Sequence, residues 1–76
     1  MKELKNKLSK LFNKEIKHLV VDISPISPYS EDVIVLITFT DGTTWDTFFE
    51  LDSDEFKNDG VYKMIKFYYE YEMLKN

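Results

Sequence analysis

The stretch ELDSDEFKNDG, residues 50–60, concentrates carboxylates between two apolar segments. Acids so close together could hold a metal, imitate a polyanion or cap a helix. The EF-hand calcium loop needs oxygen ligands at loop positions 1, 3, 5 and 12, with glycine at 6. A frame starting at Asp52 places Phe56 at position 5 and Lys57 at position 6, and a frame starting at Asp54 places Phe56 at position 3. Neither makes a calcium loop.

Helix capping accounts for part of the stretch. Asp52 and Glu55 have the spacing of a capping box, and Asp59 stands at the N-cap of a helix starting at residue 60, whose positive end favours a carboxylate. Glu31, Asp32, Asp41, Asp46, Glu50 and Asp54 have no such local task. They are the candidate partner-binding carboxylates, because crowded like charges repel and their concentration asks for a function. Residues 31–59 hold nine acids and a single lysine, Lys57.

No other chemistry is spelled out. The chain has no cysteine and one histidine, His18, which excludes a thiolate or histidine-based zinc site and leaves no nucleophile–base pair. Its two glycines are too few for a phosphate-cradling loop. Nucleic-acid reading by the strands would need basic residues around Trp45 and Phe48, where the neighbours are acidic. The expectation is a protein that is not an enzyme, carries no cofactor and binds no nucleic acid directly.

Charge is distributed unevenly. The net charge is −4, yet residues 1–17 hold six lysines against two acids, while the remainder holds four lysines against twelve. One end is basic and the rest strongly acidic, a surface that repels nucleic acid and attracts proteins that bind it. The N-terminal residues are too polar for a signal peptide, and no apolar run is long enough to span a bilayer, so a cytoplasmic protein without membrane contact is expected. All ten basic residues are lysine, and Asn, Ile, Tyr and Phe abound. That bias matches an AT-rich genome, such as that of a low-GC bacterium or its phage.

The elements that would position these acids follow from periodicity. Leu4, Leu8, Leu11 and Phe12 form one stripe of a short helix over residues 3–13. Residues 16–23, rich in β-branched side chains, read as a strand. The prolines and serines of residues 24–32 read as a loop, because proline cannot join a regular ladder. Residues 33–40 and 43–51 flank Asp41-Gly42 and read as a hairpin. A two-residue turn would pair Ile37 with Asp46 and mix charged with apolar side chains. A three-residue turn with left-handed Gly42 in a G1 bulge pairs Ile37 with Trp45 and Val35 with Thr47. Val33, Val35, Ile37, Phe39, Trp45, Thr47, Phe49 and Leu51 then share one face, and Asp46 and Glu50 take the other beside Ile34, Leu36 and Phe48.

Residues 60–75 read as a long helix with Val61, Met64, Ile65, Phe67, Tyr68, Tyr71 and Leu74 towards the sheet. Tyr62, Tyr69 and Met73 form a second stripe whose tyrosines are candidate partner contacts. The expected fold is α+β in a single domain over residues 1–76: a short N-terminal helix, a three-stranded antiparallel sheet with a DG hairpin, and a long C-terminal helix packed on the sheet (α-β-β-β-α). At 76 residues the core is small, and a homodimer or partner could supplement it.

The helix–strand–hairpin–helix order and the acidic hairpin resemble small phage-encoded anti-CRISPR proteins. Some of these use an acidic surface to occupy the DNA-binding channel of an effector nuclease. The segment from Ile23 to Ser53 is also similar to a family of small bacterial domains of unknown function, through Val35, Phe39, Asp41 and Gly42. The first resemblance implies a phage- or mobile-element-encoded inhibitor acting as a DNA mimic on a basic host protein. The alternative is an accessory or structural interaction module of a bacterial complex with no inhibitory role.

Overall fold

The computed structural model describes residues 2–52 and 59–75. Helix α1 (Lys2–Phe12) leads into strands β1 (Ile16–Ser27), β2 (Ser30–Phe39) and β3 (Thr44–Asp52), and helix α2 (Gly60–Lys75) closes the chain. The strands form one antiparallel sheet in the order β1-β2-β3, so β2 is central. This is the expected α-β-β-β-α arrangement, and it settles the pairing of β1, which periodicity leaves open.

The β2–β3 register is the three-residue-turn register: Ile37 faces Trp45, Val35 faces Thr47 and Val33 faces Phe49. Its cause lies in the turn. The Gly42 amide donates to the Phe39 carbonyl at 3.1 Å, and the Phe39 amide donates to the Thr43 carbonyl at 2.9 Å. Gly42 takes φ 88°, the left-handed conformation that completes a type I turn with a G1 bulge. Asp41 reinforces the turn by accepting from the Thr43 amide at 3.0 Å and the Thr43 hydroxyl at 2.6 Å.

Residues 24–32 differ from expectation. They form a hairpin rather than a loop: β1 runs to Ser27, β2 starts at Ser30, and only Pro28 and Tyr29 turn the chain. Proline is tolerated there because β1 is an edge strand and the ladder is irregular between Pro25 and Ser27. Serine supplies the turn chemistry, with the Ser27 hydroxyl accepting the Tyr29 amide at 3.1 Å.

One face of this sheet is covered. Val33, Val35 and Ile37 are fully buried together with Leu8 of α1 and Ile65 of α2, and Phe39, Phe49, Leu51, Ile16 and Val61 complete the core. At the centre of the helix–sheet junction Phe12 meets three rings, with centroids 5.3 Å from Phe39, 5.2 Å from Trp45 and 4.2 Å from Tyr69. Trp45 is half-buried in this cluster, and its indole N–H donates to Glu72 at 2.9 Å. Asn13, at φ 56°, ends α1 in a Schellman motif, with the Lys14 amide donating to the Ser9 carbonyl at 3.2 Å and the Asn13 amide to Lys10 at 3.3 Å.

Helix α2 is rotated relative to the sequence expectation. Val61 and Ile65 are buried and Tyr62, Met64, Tyr68 and Tyr69 are packed against the core, whereas Phe67, Tyr71 and Leu74 are exposed. With aromatic residues on nearly every side of the helix, periodicity cannot select the buried face. The ring of Phe12 and the indole of Trp45 select it by receiving Tyr69.

Asp59 precedes α2, and its carbonyl accepts the Lys63 amide at 3.2 Å. Its carboxylate pairs with Lys7, tying α1 to the start of α2. The hydrogen bond to Asp59 raises the Lys7 pKa, so this contribution is present at neutral pH and is lost only as alkali passes the raised value.

The left-handed conformation of Gly42 sets the cost of replacing it. No atom lies within 4 Å of where a Cβ would sit, so only backbone strain opposes Gly42→Ala. The substitution should cost about 1–2 kcal/mol. Thermal melts of the two proteins check this, and an unchanged midpoint would contradict the turn assignment.

Candidate functional site

Residues opposite each other in an antiparallel sheet share a face, so the register assembles the uncovered side row by row. One row is Val20, Leu36 and Asp46; the next is Asp22, Ile34 and Phe48; a third is Ser24, Asp32 and Glu50. Asp52 follows on β3, opposite Ser30. The result is an apolar centre of Val20, Ile34, Leu36 and Phe48, rimmed by Asp22, Asp32, Asp46, Glu50 and Asp52. The centre is exposed: Phe48 keeps 60% of its surface in solvent and Val20 51%. Ile34, Asp46, Thr47 and Phe48 line a shallow depression on this side. No lysine occupies an outward position of the three strands except at the β1 irregularity beside Lys17.

Two features of this face oppose stability. Asp32 stands directly across from Glu50, and like charges in that position repel. Four large apolar side chains remain in water where a second layer would normally cover them. Along β3, Asp46, Glu50 and Asp52 occupy alternate positions with Phe48 between, placing side chains about 6.8 Å apart in a straight row. A flexible loop could not hold such a row. The hydrogen-bonded ladder can.

The sequence-derived candidates separate into groups. Asp32, Asp46 and Glu50 come together on the open face. Glu31 pairs with Leu51 and Pro25 and so belongs to the helix side of the sheet. Asp41 sits in the β2–β3 turn, 3.3 Å from the Lys14 ammonium. Tyr62 and Tyr69 are half-buried in the helix packing, with the Lys7 ammonium 5.2 Å from the Tyr62 ring centroid. Asp54 and Glu55 lie outside the described residues. Sequence reasoning missed Asp22 and Val20, which only the pairing of β1 with β2 brings to this face. It also did not place Asp52 on this face, where it ends β3; the capping box expected from Asp52 to Glu55 falls outside the described residues.

Among the described residues no three His, Cys, Asp or Glu side chains converge as metal ligands. Among them too, no helix is long and apolar enough to cross a membrane. The chain matches no protein-family profile, no curated protein and no solved structure.

Asp41 carries a pH signature. The Thr43 hydroxyl and amide, and then the Lys14 ammonium, hold its carboxyl below the usual carboxylate range. A lowered carboxyl pKa stabilises the fold above its unfolded-state value of about 4 and loses that contribution as pH falls through the folded value. Asp41→Asn should therefore flatten the loss of stability below about pH 4 relative to wild type. Urea melts of both proteins across the acid range check this, and parallel acid limbs would contradict it.

Proposed function

We propose that this protein is a non-enzymatic inhibitor that uses the open sheet face to occupy a basic, nucleic-acid-binding groove of a host protein. The observation carrying this reading is the rigid carboxylate row around exposed Val20, Ile34, Leu36 and Phe48, kept despite the Asp32–Glu50 repulsion. Carboxylates at fixed spacing can replace phosphates on lysine and arginine side chains, while the apolar centre contacts the stems of those side chains and displaces water. The β3 ladder supplies the order that such mimicry needs. The resemblance to phage-encoded anti-CRISPR proteins makes a guide-loaded CRISPR effector nuclease the first partner to test, in the cytoplasm of a host bacterium.

A specific observation favours one second reading. The acids Asp46, Glu50 and Asp52 lie on an edge strand, where charge discourages edge-to-edge aggregation. In that case the protein is an accessory interaction module, and the carboxylates serve only solubility.

The two readings part on salt and on charge reversal. With an effector nuclease from a low-GC bacterium, inhibition of target-DNA binding should weaken as salt rises, since the Debye length falls to about 8 Å at physiological ionic strength. Target DNA should compete with the inhibitor. The combined variant Asp32→Lys, Asp46→Lys, Glu50→Lys should abolish inhibition while each change moves stability by about 0.5 kcal/mol or less. Equal inhibition by wild type and variant, with a flat salt series, would make the carboxylates a solvated guard. Failure to bind any effector would remove the CRISPR assignment.

A further inference from the structure

The face of α2 turned away from the sheet carries a second uncovered surface, separate from the acidic one. Phe67 is 59% exposed, Tyr71 54% and Leu74 87%. Spaced at i, i+4 and i+7, they form one stripe, with Glu70 between them and Lys63 and Lys66 preceding them on the same side. Glu70, Met73 and Leu74 line a shallow depression at its C-terminal end. The stripe lies opposite Val61 and Ile65, so packing within the chain does not require it.

Its charge order selects an occupant. The N-terminal half of the stripe is basic (Lys63, Lys66) and the centre is acidic (Glu70). A parallel copy would place lysine against lysine. An antiparallel copy, turned about a two-fold axis near residues 68 and 69, brings Lys66 level with Tyr71 of the other copy and Phe67 level with its Glu70. It leaves Lys63 within about 6 Å of axial rise of that carboxylate. Phe67 and Leu74 then pack between the helices, and every contact occurs twice, as an isologous two-fold interface requires. We infer that a second copy of this chain docks antiparallel on the outer face of α2, through Phe67, Tyr71 and Leu74 with Lys63 and Lys66 set against Glu70.

The interface is small, so dimerisation should be weak and concentration-dependent. Sedimentation velocity on the full chain should show a monomer–dimer equilibrium. Glu70→Lys alone, or Lys63→Glu with Lys66→Glu, should weaken it about tenfold or more by like-charge contact. The three changes combined should restore it. Circular dichroism confirms folding, since every altered side chain is at the surface. Orientation can be read separately, because the chain has no cysteine of its own. Oxidised Glu70→Cys should cross-link to a dimer, whereas Leu74→Cys should not, its two copies being separated by about 16 Å along the antiparallel axis. A protein that stays monomeric up to about 1 mM would overturn the inference. So would a dimer indifferent to all charge changes, or one cross-linked equally through both cysteines.

Discussion

A single left-handed residue, Gly42, fixes which side of the sheet each side chain on the β2–β3 hairpin occupies. Because side chains alternate along a strand, a slip of one residue would send Ile37 towards Asp46 and divide the apolar set between both faces. With the bulge in place, Val33, Val35, Ile37, Phe39, Phe49 and Leu51 all turn to the helices, and Asp32, Asp46, Glu50 and Asp52 all turn away. Core and acidic face are thus two results of one turn. The turn is also braced from outside: the Thr40 amide donates to the Glu15 carbonyl at 3.0 Å and Lys14 reaches Asp41 and Thr43, so the end of α1 holds the hairpin in position.

Two helices on one side of three strands make a thin protein, and its stability depends on how well that one layer closes. Phe12 is central because it joins β2, β3 and α2 through Phe39, Trp45 and Tyr69. Offset and edge-to-face ring contacts add about 0.5–1.5 kcal/mol each beyond the burial itself. The closure consumes the apolar surface of α1 and of one side of α2. Among the described residues nothing remains to cover the outer face of the sheet or the outer face of α2, and these two surfaces point in opposite directions. One has an apolar centre rimmed by carboxylates. The other carries lysines in its N-terminal half and Glu70 at its centre.

Periodicity and turn chemistry were sufficient for β2, β3, their register and the apolar stripe of α1, because each of these rests on local rules. The face of α2 was not legible, since Tyr62, Phe67, Tyr68, Tyr69 and Tyr71 supply an aromatic residue in almost every direction. Long-range contacts with Phe12 and Trp45 made the choice. The hairpin at Pro28-Tyr29 was hidden because proline reads as a breaker unless the strand is known to be an edge. Of the candidate site, the outward placement of Asp46 and Glu50 was readable from the hairpin alone, whereas Asp32 joined them only because β2 extends back to Ser30, and Asp22 and Val20 required the pairing of β1 with β2. Asp41 and Asp59 each bind a lysine of the N-terminal segment, Lys14 and Lys7 respectively, long-range pairs that turn and capping rules do not reveal.

The proposed function requires an outer sheet face that is both open to solvent and strongly negative before any partner arrives. Solvent paramagnetic relaxation enhancement measured by NMR, with a cationic and an anionic cosolute in turn, reads both properties residue by residue. Val20, Ile34, Leu36 and Phe48 should be strongly enhanced by the cationic probe and weakly by the anionic one, and Val33, Val35 and Ile37 should be protected from both. Equal enhancement by the two probes would remove the electrostatic basis of the proposed function, and protection of Ile34, Leu36 and Phe48 would mean that the face is already covered.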